Sequence, residues 1–186
     1  MLPAGKSAFI VGCIGLFGVD MIYPFTKRWT NWPQFILGIA MTWGLPVAWI
    51  SNTGSIDWNM IPVLFLGGMC WTIYYDTIYA CQDRRDDVKA GVKSTAVLFG
   101  DAVRPILACF ATAFVFCLAY AGMLNGNGMA YFVITVAGAA VHFAWQLTSV
   151  NFDIGADCWR IFKSNGDLGY IMFAGMICDY ALRIAH

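Results

Sequence analysis

The sequence predicts an all-α fold, a multi-span transmembrane helical bundle of about six helices, and three observations predict it. Of 186 residues, 60% are apolar and 12% charged, with mean hydropathy +0.65, against roughly 45–50% apolar and about 25% charged in soluble domains. Six stretches approach the ~20 residues that a helix needs to cross a bilayer core of about 30 Å. The basic residues sort to one side of those stretches. A soluble enzyme is set aside on composition. Eleven Lys and Arg against eleven Asp, with no Glu, leave no basic excess to hold a nucleic-acid backbone.

The stretches run near 5–25, 32–51, 58–81, 103–124, 128–149 and 168–185 in one transmembrane domain, 1–186, without repeats or low-complexity tracts. In the first, Lys6 and the apolar run from Ala8 to Val19 mimic a signal peptide, yet no small-residue cleavage site follows and apolar character resumes past Asp20 to Phe25. The connections are Thr26–Asn31, Ser51–Asp57, Gln82–Ala102, Asn125–Gly128 and Val150–Asp167. With alternating spans, the first, third and fifth of these share a side and, with Arg104 just past the third, hold nine of the eleven basic residues. That side faces the cytoplasm or its organellar equivalent by the positive-inside rule. Gly126 and Gly128 mark a turn on the bare side, and Asp157–Lys163, with Trp159 and Phe162, reads as an amphipathic interfacial segment. The seven cysteines contain no C-x-x-C pair and read as packing residues. His142 and Gln146, one turn apart in the fifth span, suit interhelical hydrogen bonds or a substrate carboxylate. Asp20 and Asp179 receive no catalytic role.

The third connection is the densest in charge. If the third helix continues through Asp87, Asp83 and Asp87 lie about 40° apart around its axis, with Asp76 about 20° from each. Asp86 lies roughly 60–100° from them. Carboxylates stacked one turn apart repel unless a cation lies between them, and hard oxygen ligands suit Mg²⁺ shared with phosphate oxygens. A solvated helix end, with these aspartates paired to Arg84, Arg85 and Lys89, accounts for the same charges. Asp76 tilts the balance toward a site, because a carboxylate about 10 Å deeper along the helix usually lines a cavity. Lys27 and Arg28 close the first span, where cations also serve as a stop signal, and Lys93-Ser94-Thr95 follows the carboxylates. Together these residues form a cradle for a polyanion.

Tyr75-Asp76-Thr77-Ile78-Tyr79-Ala80, followed by Asp83-x-x-x-Asp87 and Gly91-Val92-Lys93-Ser94-Thr95, resembles the second Asp-rich signature of the UbiA superfamily of intramembrane prenyltransferases, in its 4-hydroxybenzoate polyprenyltransferase branch. Tyr23 to Lys27 is similar to that family's Tyr-x-x-x-Lys signature, and Trp32-Pro33-Gln34 and Asn165-x-x-Leu168-Gly169-Tyr170 also match. The resemblance implies a fold of about nine helices, of which this chain would supply the C-terminal two thirds, without the first three helices and the first Asp-rich signature. It implies transfer of a polyprenyl group from its diphosphate to an aromatic acceptor, 4-hydroxybenzoate or a related phenolic acid, in ubiquinone or meroterpenoid biosynthesis. The implied metal is Mg²⁺ on Asp83 and Asp87, with Lys27 and Asp76 as further catalytic residues. Tyr23, Lys27, Arg28, Tyr79, Arg84 and Lys93 are the implied substrate contacts. The expected location is the mitochondrial inner membrane or another intracellular membrane. The alternative is a catalytically dead, truncated homologue that binds prenyl diphosphate or a partner.

Overall fold

Within a bilayer no water satisfies the backbone, so each apolar stretch must close its own hydrogen bonds as a helix. The computed structural model describes residues 5–185 and contains no strand among them. Its helices are α1 (Lys6–Trp29), α2 (Pro33–Thr53), α3 (Met60–Cys81), α4 (Arg84–Ala90), α5 (Thr95–Phe99), α6 (Val103–Leu124), α7 (Tyr131–Ser149), α8 (Gly155–Lys163) and α9 (Asn165–Ile184). Five segments are long and apolar enough to cross a membrane: α1, α2, α3, the stretch Thr95–Leu124 that joins α5 to α6, and α7. The chain is a multi-pass membrane protein. The sixth expected stretch forms α9, a helix of 20 residues, but Asp167 and Asp179 leave it less apolar than the other five.

α3 occupies the middle, with α2 on one flank, α6 on another and α8 against its last turns. Tyr74 and Ile78 of α3, Leu107 and Phe114 of α6, Phe143 of α7 and Ile161 of α8 are buried together, and Tyr74 meets Phe143 edge-on at 4.7 Å between ring centroids. Large apolar side chains such as Phe17, Phe116, Val141 and Phe173 stay exposed at the periphery. That pattern suits a lipid surround as apolar as the side chains themselves.

Two helices widen locally into π-helical turns where a neighbour comes close. In α1 the turn spans Gly15–Asp20, and the Trp43 indole of α2 donates to the Val11 carbonyl at 2.8 Å. A β-carbon at Gly15 would overlap that indole. In α7 the turn spans Tyr131–Ala137, and the Thr135 hydroxyl donates to the Met172 carbonyl of α9 at 3.1 Å.

Hydrogen bonds place the odd-numbered connections at one rim. The Lys93 N–H donates to the Lys27 carbonyl at 3.2 Å, Arg104 donates to the Val150 carbonyl at 2.9 Å, and Arg84 pairs with Asp153 at 3.0 Å. At the opposite end Asp179 accepts from the N–H groups of Gly128 at 3.1 Å and Tyr131 at 3.4 Å, and pairs with Arg183 at 3.0 Å. It thereby satisfies amide groups at the start of α7. His142 Nε2 lies 3.0 Å from the Ser164 carbonyl and Gln146 donates to the Ser164 hydroxyl at 2.8 Å, so both serve interhelical bonding. All seven cysteines are free thiols.

The α7–α9 contact depends on the absence of a side chain at Gly175, where a β-carbon would overlap Thr135 Oγ1. Gly175→Val is expected to destabilise the bundle by about 1–3 kcal/mol, read as a lowered midpoint of unfolding in detergent micelles.

Candidate active site at the charged rim

The last turns of α1 bring Tyr23 and Lys27 to the rim. Thr26, buried between them, donates from its hydroxyl to the Tyr23 carbonyl at 2.6 Å. The strand of chain after α4 returns to the same place. Besides its backbone bond to Lys27, Lys93 directs its ammonium at the Trp29 carbonyl at 3.4 Å, where a cation complements the C-terminal end of a helix.

α2 begins at Pro33, a residue suited to a first helical turn, and its next residue, Gln34, is 2% exposed. Gln34 Oε1 accepts the Thr95 N–H at 3.1 Å, which turns its NH₂ toward the Asp76 carboxylate. The Thr95 hydroxyl lies 2.6 Å from that of Thr77, with both residues fully buried. One small network therefore fixes α2, α3 and α5 at the level of Asp76. The half-buried Asp76 carboxylate faces Lys27 as well as Gln34, and Tyr23 and Tyr75 lie beside it.

The third helix does not continue through Asp87. α3 ends at Cys81, and α4 restarts at Arg84 with Asp83 at its N-cap position. Gly155, the first residue of α8, packs with a virtual β-carbon 3.3 Å from Gln82 Cβ, so α8 occupies the flank of the break. The single face expected for three carboxylates is thus corrected. Asp83 and Asp87 remain one turn apart on α4, whereas Asp76 belongs to α3 and is related to them through Lys27, which acts on both Asp76 and Asp87.

Asp83 is exposed and its side chain makes no capping hydrogen bond. Burial pushes the Asp87 carboxyl above the usual carboxylate range, Lys27 opposes that shift, and the charges of Asp83 and Asp86 add to it. Four ion pairs lie within 4.0 Å among the described residues: Arg84–Asp153, Lys89–Asp86, Arg160–Asp157 and Arg183–Asp179. Lys27, Asp76, Asp83 and Asp87 belong to none of them. These four gather at one rim with their charges uncompensated by direct contact.

The remaining implied contacts divide. Tyr23 is half-buried beside Asp76, and Arg28 is exposed on the last turn of α1. Arg84 is directed elsewhere, to the Gly100 carbonyl at 2.9 Å and to Asp153. Tyr79 packs on Phe162 at 4.9 Å and Trp159 at 6.0 Å. It belongs to an aromatic array that the sequence reading missed. Trp71, Tyr75 and Tyr79, spaced by four along α3, meet one another or Phe162 of α8 at 4.9–5.9 Å. The spacing of the three α3 rings is visible in the sequence, but the α8 partners are not. Gln34 and the Thr77–Thr95 pair were missed as well, because their importance is a matter of partners far along the chain.

The UbiA prenyltransferase family model matches residues 2–176. The chain belongs to the UbiA prenyltransferase family. A UbiA prenyltransferase, claS, of Ampulloclitocybe clavipes is 46% identical over 178 residues, covering 95% of this chain and 56% of the relative. The mitochondrial 4-hydroxybenzoate polyprenyltransferase of Arabidopsis thaliana is 44% identical over 155 residues, covering 83% and 38%. The 4-hydroxybenzoate octaprenyltransferase of Pseudomonas syringae pv. tomato is 43% identical over 164 residues, covering 87% and 54%. The chain thus spans about half the length of the curated relatives it matches. A solved structure described as that of digeranylgeranylglyceryl phosphate synthase shares the fold, with a TM-score of 0.67 over 96% of this chain and 63% of its own, at 16% identity.

In this UbiA-family chain the electrostatics of α4 are open to direct test. Asp83→Asn is expected to lower the Asp87 pKa by removing a like charge, and Lys27→Met to raise it, each followed by carbon-13 carboxylate NMR titration in micelles. Because the folded-state pKa is raised, acidification neutralises Asp87 at a higher pH than an exposed aspartate. Cation binding through Asp87 is therefore expected to fall off from that higher pH.

Proposed function

We propose that this chain, acting as one transmembrane prenyltransferase unit, transfers a polyprenyl group from its diphosphate to a ring carbon of an aromatic acceptor such as 4-hydroxybenzoate. The observation that carries this reading is the cluster of Lys27, Asp76, Asp83 and Asp87, held together at the rim without direct ion-pair partners. The names of its relatives support the substrate class. Mitochondrial relatives favour the mitochondrial inner membrane, and prenylated acids of this kind are intermediates suited to ubiquinone-type or meroterpenoid products.

Asp83 and Asp87 fit a Mg²⁺ ion shared with phosphate rather than a closed protein cage. They are two hard donors one turn apart, and among the described residues no group of three His, Cys, Asp or Glu is placed to enclose a metal. When bound there, Mg²⁺ would supply positive charge that favours departure of the diphosphate. Lys27 adds a second cation over the same leaving group and faces Asp76 beside it. The prenyl tail lies in the apolar interior, and the faces of Tyr75, Tyr79 and Phe162 stabilise the allylic cation while excluding water. The acceptor ring attacks that carbon, the C–O bond to diphosphate having broken, and the Asp76 carboxylate takes up the ring proton. Tyr23 and Arg28 would orient the anionic ends of the two substrates.

A second reading, diphosphate binding without transfer, is compatible with the same cluster, because the chain spans about half the length of its relatives. Measuring Mg²⁺-dependent binding of a polyprenyl diphosphate separately from product formation decides between them, with the chain in nanodiscs. Product formation with 4-hydroxybenzoate is expected, and binding without product would support the second reading.

Asp83→Asn and Asp87→Asn are each expected to weaken Mg²⁺-dependent diphosphate binding by about 10-fold or more, since even partners that only orient metal ligands change affinity by that much. Lys27→Met is expected to weaken it by about 10-fold through loss of a charge-assisted hydrogen bond. Unchanged binding in all three variants would defeat the assignment.

A further inference from the structure

α4 has two faces of opposite character. At about 100° per residue, Asp83, Asp86 and Asp87 gather on one side, and Arg84, Arg85, Val88 and Lys89 on the other. The acidic side is the one on which Lys27 acts. The basic side borders a groove of about 530 Å³, walled by Arg85, Val88 and Lys89 of α4 and by Val97 and Asp101 across from them. Arg84 forms one edge of it, held in place by Gly100 and Asp153.

Three features of this groove point to one class of occupant. Arg85 takes part in none of the ion pairs within 4.0 Å among the described residues, and Lys89 has only a surface pair with Asp86, both side chains being mostly exposed. Beside these cations lie the apolar side chains of Val88, 60% exposed, and Val97. Val97 and Leu98 also stand at the start of the segment Thr95–Leu124, which is long and apolar enough to cross a membrane, so the groove sits where headgroups meet acyl chains. Cations together with aliphatic side chains at the start of a span complement a phosphate that carries hydrocarbon tails. α4 itself has no buried residue to hold it.

We propose that this groove binds the phosphate of an anionic phospholipid from the surrounding leaflet, and that the bound lipid anchors α4 from behind. The lipid site is distinct from the diphosphate site, which is on the opposite face of the helix. Only its effect on Asp83 and Asp87 rests on the prenyl-transfer reading.

The test is native mass spectrometry of the whole chain released from nanodiscs of mixed phosphatidylcholine and phosphatidylglycerol, with neither Mg²⁺ nor prenyl diphosphate present. Its outcome is thus independent of whether the chain transfers prenyl groups. The wild-type chain is expected to retain phosphatidylglycerol in preference to phosphatidylcholine. The double variant Arg85→Gln, Lys89→Gln should lose that preference by roughly 20-fold, while Arg85→Lys, Lys89→Arg and the same-rim control Lys163→Gln keep it. Circular dichroism of each variant verifies the helices. Equal retention of phosphatidylglycerol by the wild type and the double glutamine variant overturns the proposal. So does a wild type that takes up added inorganic phosphate at Arg85 and Lys89 yet shows no preference for the anionic lipid.

Discussion

The hydrogen bonds of one buried amide set the geometry of the rim. Gln34 carries no charge and is 2% exposed, yet it joins the first turn of α2 to the first turn of α5 through Thr95, and Thr95 in turn meets Thr77 of α3. In a low-dielectric interior such a network holds its members firmly, because each polar group left without a partner would carry its full desolvation penalty. The consequence falls on Asp76, one residue before Thr77. Its carboxylate is fixed in register with Lys27 without being locked to it by a direct ion pair. The proposed function, which receives one polyanion and releases another, uses that combination of fixed position and unfilled valence.

Cations elsewhere in the bundle show the contrast. Arg84, Arg160 and Arg183 are each paired with an aspartate and also bonded to a backbone carbonyl. Such cations hold connections together. Asp83 and Asp87, by comparison, stand one turn apart on a short helix with no buried residue, where burial of Asp87 and the charges of Asp83 and Asp86 push the Asp87 carboxyl above the usual range. Keeping like charges adjacent opposes folding, so the pair adds nothing to the stability of the free chain.

Much of this was legible in the sequence where the relevant physics is local. Hydropathy and the sorting of Lys and Arg gave the spans and the common rim of the first, third and fifth connections, because lipid and surface potential act on each segment separately. The amphipathic stretch Asp157–Lys163 is indeed a helix, Gly155–Lys163. The break at Gln82 was not legible. Periodicity continues smoothly through that point, and the contact with Gly155 comes from a residue over seventy positions away in sequence. For the same reason the partners of Arg84, which the resemblance implied as a substrate contact, come only from the fold: the Gly100 carbonyl and Asp153.

The break has a mechanical consequence of its own. Had α3 run on through Asp87, the carboxylates would have been carried on a rigid rod anchored in the core at Tyr74 and Ile78, both fully buried. Instead α4 lies along the rim, tied at its start by Arg84 and at its end by the bond of Lys93 to Lys27. Between those ties nothing apolar fastens it to the bundle. The spacing of Asp83 and Asp87 is therefore set within α4, while their distance from Asp76 depends on two tethers that reach different helices. A shift of α1 at Lys27 or of the α7–α8 connection at Asp153 moves Asp83 and Asp87 relative to Asp76 and to the aromatic array, so helices that carry none of these carboxylates still govern how the two halves of the rim meet.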